Sequence, residues 1–247
     1  MNIVIPAAGR GRRFKEEGYA PPKPLILVDG IPMISRVIHS FLDNDDHRRV
    51  VTVVQRGFPA IYGAQNVYLD RVTDGAARSV ILGIHTAQLP LDEPLLIVNS
   101  DQLVEFDFKD FIAKAGGADG SLIVFPATDG SRAWSYAEIN KENRVVRVAE
   151  KEPISQWATA GFYWWRRTID FLEAAGRMVA ADDRTNGEFY VAPTYNYCRG
   201  VVVPYFVTND KFHSLGTPED LEVYLRWRTS RSTPAGATAV GLGTQTV

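Results

Sequence analysis

The stretch "IPAAGRGRRF" brings Gly9 and Gly11 together with Arg10, Arg12 and Arg13, directly after an apolar run. Glycines that follow a strand and open a helix let backbone N–H groups approach phosphate without Cβ obstruction, and arginine adds forked donors for phosphate oxygens. The common nucleotide fingerprints are nevertheless absent: the dinucleotide pattern needs a third glycine where Phe14 stands, and no Gly-Lys-Ser/Thr run occurs. On its own residues the loop is either a phosphate cradle or a basic surface turn. Asp101 follows the apolar run "LLIVNS", where it either closes a turn or offers an oxygen to Mg²⁺, an ion satisfied by one or two carboxylates plus phosphates and water. The run Glu150, Lys151, Glu152 is by itself a solvated charge patch. His39, His47, His85 and His213 are widely spaced, no His or Cys forms a metal motif, and no nucleophilic triad is visible.

The elements that must hold these groups follow from periodicity. Asn2 to Pro6, Val50 to Val54, Leu95 to Asn99 and Ser121 to Phe125 have the composition of buried strands. Ile31 to Leu42 and Ala76 to Ala87 carry helical spacing between them, which predicts a mainly parallel sheet covered on both faces. Further on, "SYAEINKENRVVRVAEKE" predicts a hairpin turning at Glu142 and Asn143, and "ATAGFYWWRR" another strand whose Tyr163, Trp164 and Trp165 pack the core. The second half is therefore expected to be partly antiparallel. Helices are expected near Ile169 to Ala181 and Pro218 to Arg228, giving one domain over 1–228 and a flexible tail over 229–247.

Composition narrows the function classes. Lys plus Arg total 27 against 29 acidic residues among 247, so the arginines of the opening loop are a local feature and not part of a polyanion-binding surface. The lone Cys198 excludes an internal disulfide framework. "MNIVIP" lacks a basic n-region and a full h-region, so a soluble cytoplasmic protein with no membrane partner is the expectation.

Six segments occur in an order that resembles the sugar-phosphate nucleotidyltransferases: the opening loop with its Pro-Lys-Pro at 22–24, then "TDGAARSV", "NSDQ", "AEKEPIS", "NGEFYVAPTYN" and "LGTPEDL". Together they span residues 2 to 225, with particular likeness to a subgroup found with capsule or surface-polysaccharide genes. The resemblance implies a Rossmann-like α/β fold of the nucleotide-diphospho-sugar transferase type, whose partly antiparallel half takes the acceptor. It also implies a Mg²⁺-dependent reaction of an NTP with a phosphorylated small molecule, giving NDP-acceptor and pyrophosphate. By matching positions, Ala7, Ala8, Gly9, Gly11, Arg13, Lys23, Gly75 and Asp101 are expected to bind the nucleotide, with Gly75 permitting close approach near the base. Arg13, Lys23, Asp101 and Lys151 are the expected catalytic set, Asp101 the metal ligand, and Glu150, Lys151, Gly161 and Glu188 the acceptor side.

The sequence departs from that pattern twice. Ser214 stands where many relatives have an aspartate, leaving Asp210, Glu188 or water as a second metal contact, and Arg78 replaces a frequent glutamine, so CTP, UTP and dTTP stay unresolved. Oligomeric state is left open. A glycosyltransferase is the alternative enzyme, although Ser100, Asp101, Gln102 and Leu103 lack its Asp-x-Asp pair; a non-catalytic nucleotide sensor is the alternative outside enzymes. RNA binding rests on "GRGRRFK" alone, without aromatic interleaving, and no nucleic-acid partner is expected.

Overall fold

The computed structural model describes residues 1–41 and 48–232. Its first half comprises β1 (Asn2–Pro6), α1 (Arg12–Glu16), β2 (Leu27–Val28), β3 (Ile31–Pro32), α2 (Met33–His39), β4 (Arg49–Gln55), β5 (Gln65–Leu69), α3 (Ala76–Thr86), β6 (Leu95–Val98), β7 (Gln102–Val104) and α4 (Phe108–Ala115). β8 (Gly120–Pro126), β9 (Ser135–Ile139), β10 (Val145–Glu150), β11 (Trp157–Trp165), α5 (Thr168–Ala180), β12 (Val202–Phe206), β13 (Phe212–Ser214) and α6 (Pro218–Ser232) follow.

One mixed sheet organises the chain. β6, β1, β4 and β5 lie side by side and parallel, while β11 runs antiparallel to β6, β8 and β9. The parallel strands read as unbroken apolar runs because both faces are covered. Alternate residues feed opposite cores: Ile3 and Ile5 pack with α2 and α4 on one face, and Val4 with α3 and α5 on the other. The chain leaves β1 toward β4 and β5 and then crosses to β6, so strand order reverses between β1 and β6. Loops beyond the carboxyl ends of strands at such a reversal are where open α/β sheets bind ligands.

The structure differs from the pattern reading at several boundaries. Ile31 and Pro32 do not begin a helix but pair with Val28 and Leu27 across Asp29 and Gly30, both at positive φ (56° and 78°), so α2 starts at Met33. Leu42, the expected end of that helix, lies outside the described residues. β11 is bent rather than uniform: its register against β8 shifts between Thr159 and Tyr163, around Gly161 at φ 76°. The hairpin at residues 140–144 is present, with Asn143 at φ 54°. α6 continues through residue 232, so 229–232 are helical, and 233–247 lie outside the described residues. Among the described residues no helix is long and apolar enough to cross a membrane.

Candidate active site

Two cavities open at this end of the sheet. The larger, of about 920 Å³, is walled by residues 6–14 after β1, by Val72 to Ala76 leading into α3, and by Asn186 to Glu188. The smaller, of about 470 Å³, lies against the antiparallel half and is walled by Ser131, Trp134, Ser135, Glu150, Thr159 and Tyr163 among others. They adjoin. Four charged residues line both cavities, namely Arg13, Lys23, Asp101 and Lys151, with Asn99, Tyr190 and Gly216 between them.

The first loop is shaped by backbone bonds. Ala7 donates its N–H to the Val53 carbonyl (2.8 Å), and the Gln55 amide donates to the Ala8 carbonyl (2.8 Å), fixing the chain as it leaves β1. Gly11 stands at the N-cap of α1 in the left-handed region (φ 59°), which an L side chain rarely adopts. Ala7, Ala8, Gly9, Gly11 and Arg13 all line the larger cavity, as do Arg10 and Arg12. Gly75 lines it too. A Cβ at Gly75 would lie 2.3 Å from the Phe189 carbonyl oxygen, so the glycine admits backbone from 188–190. Phe189 is bonded there on both sides, its N–H to the Asp74 carbonyl (2.8 Å) and its carbonyl to the Ala77 N–H (3.0 Å).

At the shared wall the Lys23 ammonium donates to Asp101 Oδ2 (2.5 Å) and to the Gly216 carbonyl (2.9 Å). The Leu215 N–H donates to the Asp101 carbonyl (2.8 Å), which is what brings the C-terminal "SLGTPEDL" segment to the loop after β6. Ser214 does not stand alone: its hydroxyl donates to Asp220 Oδ2 (2.7 Å). A side-chain carbon on Gly216 would stand 3.2 Å from Ser214 Oγ, 3.3 Å from Asp220 Oδ2 and 4.0 Å from Asp101 Oδ2, so three oxygens converge on that glycine. Asp220 is a residue that sequence reasoning passed over, although Thr217 three residues earlier caps its N–H (3.1 Å) in the familiar first-turn spacing. Asp210, one of the alternatives for a second metal contact, is absent from both walls. Among the described residues no group of three or more His, Cys, Asp or Glu is gathered as a metal cluster; His47 lies outside them.

At the smaller cavity, Glu150 ends β10 and accepts a short hydrogen bond from the Ser135 hydroxyl across the hairpin. Burial pushes its carboxyl above the ordinary range, against the lowering effects of that hydroxyl and of Lys151. Lys151 leaves the strand at φ 58°, donates its N–H to the Trp134 carbonyl (2.9 Å) and its ammonium to the Tyr190 hydroxyl (2.6 Å). Gly161 and Glu188 lie apart from the smaller cavity. Gly161 is absent from the cavity wall because the Asn99 and Gln102 side chains occupy the space beside it; a Cβ there would lie 1.8 Å from Gln102 Oε1. Glu188 is exposed on the rim of the larger cavity, held by the two-residue turn Asn186–Gly187, and does not reach the smaller one. Ser135 and Tyr190 were not foreseen, because each acquires its partner only through pairing across the fold.

A model of the MobA-like NTP transferase domain matches residues 3–203. Among curated proteins, the bifunctional protein GlmU of Methanocaldococcus jannaschii is 22% identical over 171 residues, covering 68% of this chain and 41% of GlmU, so the chain spans less than half of that relative. The UTP–glucose-1-phosphate uridylyltransferase AglF of Haloferax volcanii is 25% identical over 187 residues, covering 68% of this chain and 73% of AglF. Among solved structures, the nucleoside-diphosphate-sugar pyrophosphorylase of Vibrio cholerae superposes with a TM-score of 0.81 at 26% identity, covering 91% of this chain and 99% of that one.

Proposed function

The chain belongs to the MobA-like NTP transferase family, and from that premise we propose that it joins an NTP to a phosphorylated acceptor, a sugar 1-phosphate by preference, releasing pyrophosphate. The observation that carries the reading is the pair of adjoining cavities whose shared charged residues are Arg13, Lys23, Asp101 and Lys151. The NTP lies in the larger cavity with its triphosphate along residues 9–13, and the acceptor phosphate lies in the smaller one against Lys151. An acceptor phosphate oxygen attacks the α-phosphorus; the new O–P bond forms as the bond to the β-phosphate oxygen breaks, and pyrophosphate leaves on the opposite side. Little covalent work falls to the protein, so positioning and charge neutralisation supply the rate. Arg13 and Lys23 neutralise the leaving pyrophosphate, while Lys151 holds the nucleophile. Glu150 and the Ser135 hydroxyl oxygen accept hydrogen bonds from acceptor hydroxyls.

Mg²⁺ belongs to the proposal. Three oxygens converging beside Gly216 suit a hard cation, and the Lys23 ammonium resting on Asp101 balances the same carboxylate until the phosphates enter. Asp101 would hold the ion, with Asp220 and Ser214 adjacent; such an ion would supply positive charge against the phosphates. The reaction is placed in the cytoplasm, where nucleoside triphosphates are made, and its product suits a precursor of surface polysaccharide.

The test is pyrophosphate release and product mass with Mg²⁺, each NTP and dTTP, and phosphorylated sugars, polyols and amino-alcohols. One or more pairs should yield NDP-acceptor. The absence of both NTP binding and pyrophosphate release across the panel would overturn the reading, and transfer from a sugar nucleotide without pyrophosphate would replace it with glycosyl transfer.

A further inference from the structure

Tyr190 is the uncharged side chain on the shared wall with a hydroxyl, and none of the roles above uses it. Its main chain follows Phe189, which is bonded to Asp74 and Ala77 at the start of α3 (2.8 and 3.0 Å). Its hydroxyl accepts from the Lys151 ammonium at 2.6 Å. Lys151 comes from the other half of the sheet, 39 positions away in sequence, on a residue whose backbone is fixed at φ 58° but whose side chain has four rotatable carbons. The hydrogen bond to Tyr190 is what defines where that ammonium stands. Burial raises the phenol above its ordinary range, so the hydroxyl keeps its proton. A phenol that accepts from the ammonium still has that one proton to give.

We propose that Tyr190 positions Lys151 and donates a hydrogen bond from its O–H to the acceptor's phosphate, registering the nucleophile against loop 73–77 through Phe189. The inference rests on the proposed transferase reading and adds a residue to it. Loop 73–77, segment 188–190 and the end of β10 then act as one bracket. The acceptor phosphate is held by a lysine and a phenol on two different elements, and displacement of either spoils the alignment for attack.

The test uses the full-length protein and Tyr190→Phe, which keeps the ring and removes only the hydroxyl. Acetic anhydride labelling of Lys151, read by mass spectrometry, is followed with and without inorganic phosphate as the probe. In the wild type, phosphate protects Lys151; in the variant, half-protection should need roughly tenfold more phosphate, the scale of a hydrogen bond to a charged group. With an active substrate pair, Tyr190→Phe should lower kcat/KM for the acceptor by roughly tenfold or more while leaving NTP affinity unchanged, and Tyr190→Phe with Lys151→Met should be no worse than Lys151→Met alone. Unaltered phosphate protection, multiplicative effects, or equal weakening of NTP and acceptor would overturn the inference. Absence of pyrophosphate release from every pair, with phosphate protection still dependent on Tyr190, would instead overturn the transferase reading alone.

Discussion

The two walls of the site are built by different means. The larger cavity is framed by a glycine loop: a backbone bonded to Val53 and Gln55, glycines at 9, 11 and 75, and arginines on its rim. The wall of the smaller cavity presents side chains: a buried carboxyl with its serine, a lysine with its tyrosine, and the rings of Trp134 and Tyr163. Backbone walls suit phosphates, which every NTP carries alike, whereas side-chain walls change with a single substitution and suit discrimination among acceptors. The contrast predicts that substitutions at the shared wall abolish turnover, those on the acceptor side shift the acceptor selectively, and those on the loop's rim do little.

The largest effect is expected at the wall both cavities share. Asp101→Asn should lower kcat by about 10²-fold or more, measured as pyrophosphate release, with the fold retained by circular dichroism. Lys151→Met comes next: kcat/KM for the acceptor should fall by about 10²-fold while NTP affinity, measured by calorimetry, stays within a factor of about two. Equal losses for both substrates would erase the distinction between the walls.

Glu150→Gln is a smaller, two-sided case. It should raise the acceptor KM by about tenfold through the altered hydrogen bonding. Its effect on stability has the opposite sign. Burial holds the carboxyl above 4.5, so the native state binds this proton more tightly than the unfolded chain does. The contribution is fully present below 4.5 and is lost as pH rises through the raised native value. Glutamine carries no such loss, so denaturant melts at pH 7 should show the variant more stable than the wild type, with the advantage disappearing below pH 4.5. An unchanged pH profile would mean that burial does not raise the carboxyl. The smallest effect belongs to Arg10→Ala and Arg12→Ala, exposed on the rim of the larger cavity, with kcat/KM changing by about threefold or less.

The same contrast explains what the amino-acid sequence discloses. Asn2–Pro6 and Leu95–Val98 are legible as strands because burial on both faces leaves one unbroken apolar signal. Gly9, Gly11, Arg13 and Asp101 are legible because they sit in contiguous stretches beside those strands. The acceptor wall is less so. Ser135 meets Glu150 through an antiparallel pairing, Tyr190 meets Lys151 across 39 residues, and Ser214 meets Asp220 through the first turn of α6; periodicity carries no trace of such partners. Gly75 and Gly161 are both sites of close approach, but the approaching groups are Phe189 backbone and the Asn99 and Gln102 side chains, identities that only the packed chain supplies. Short elements escaped for a simpler reason. β7 and β13 have three residues each, too few for a repeat, while the "DG" of the β2–β3 hairpin was a readable turn signal hidden by the apolar run after it.

The central claim is that both substrates meet in adjoining cavities and that phosphorus passes directly between them at the shared wall. The most direct measurement is the stereochemical course at the α-phosphorus, using an NTP with a chiral thiophosphate at that position and any acceptor found active. A single in-line attack predicts inversion of configuration in the NDP-acceptor. Retention would contradict the account, because it requires a covalent nucleotidyl-protein intermediate and two successive displacements.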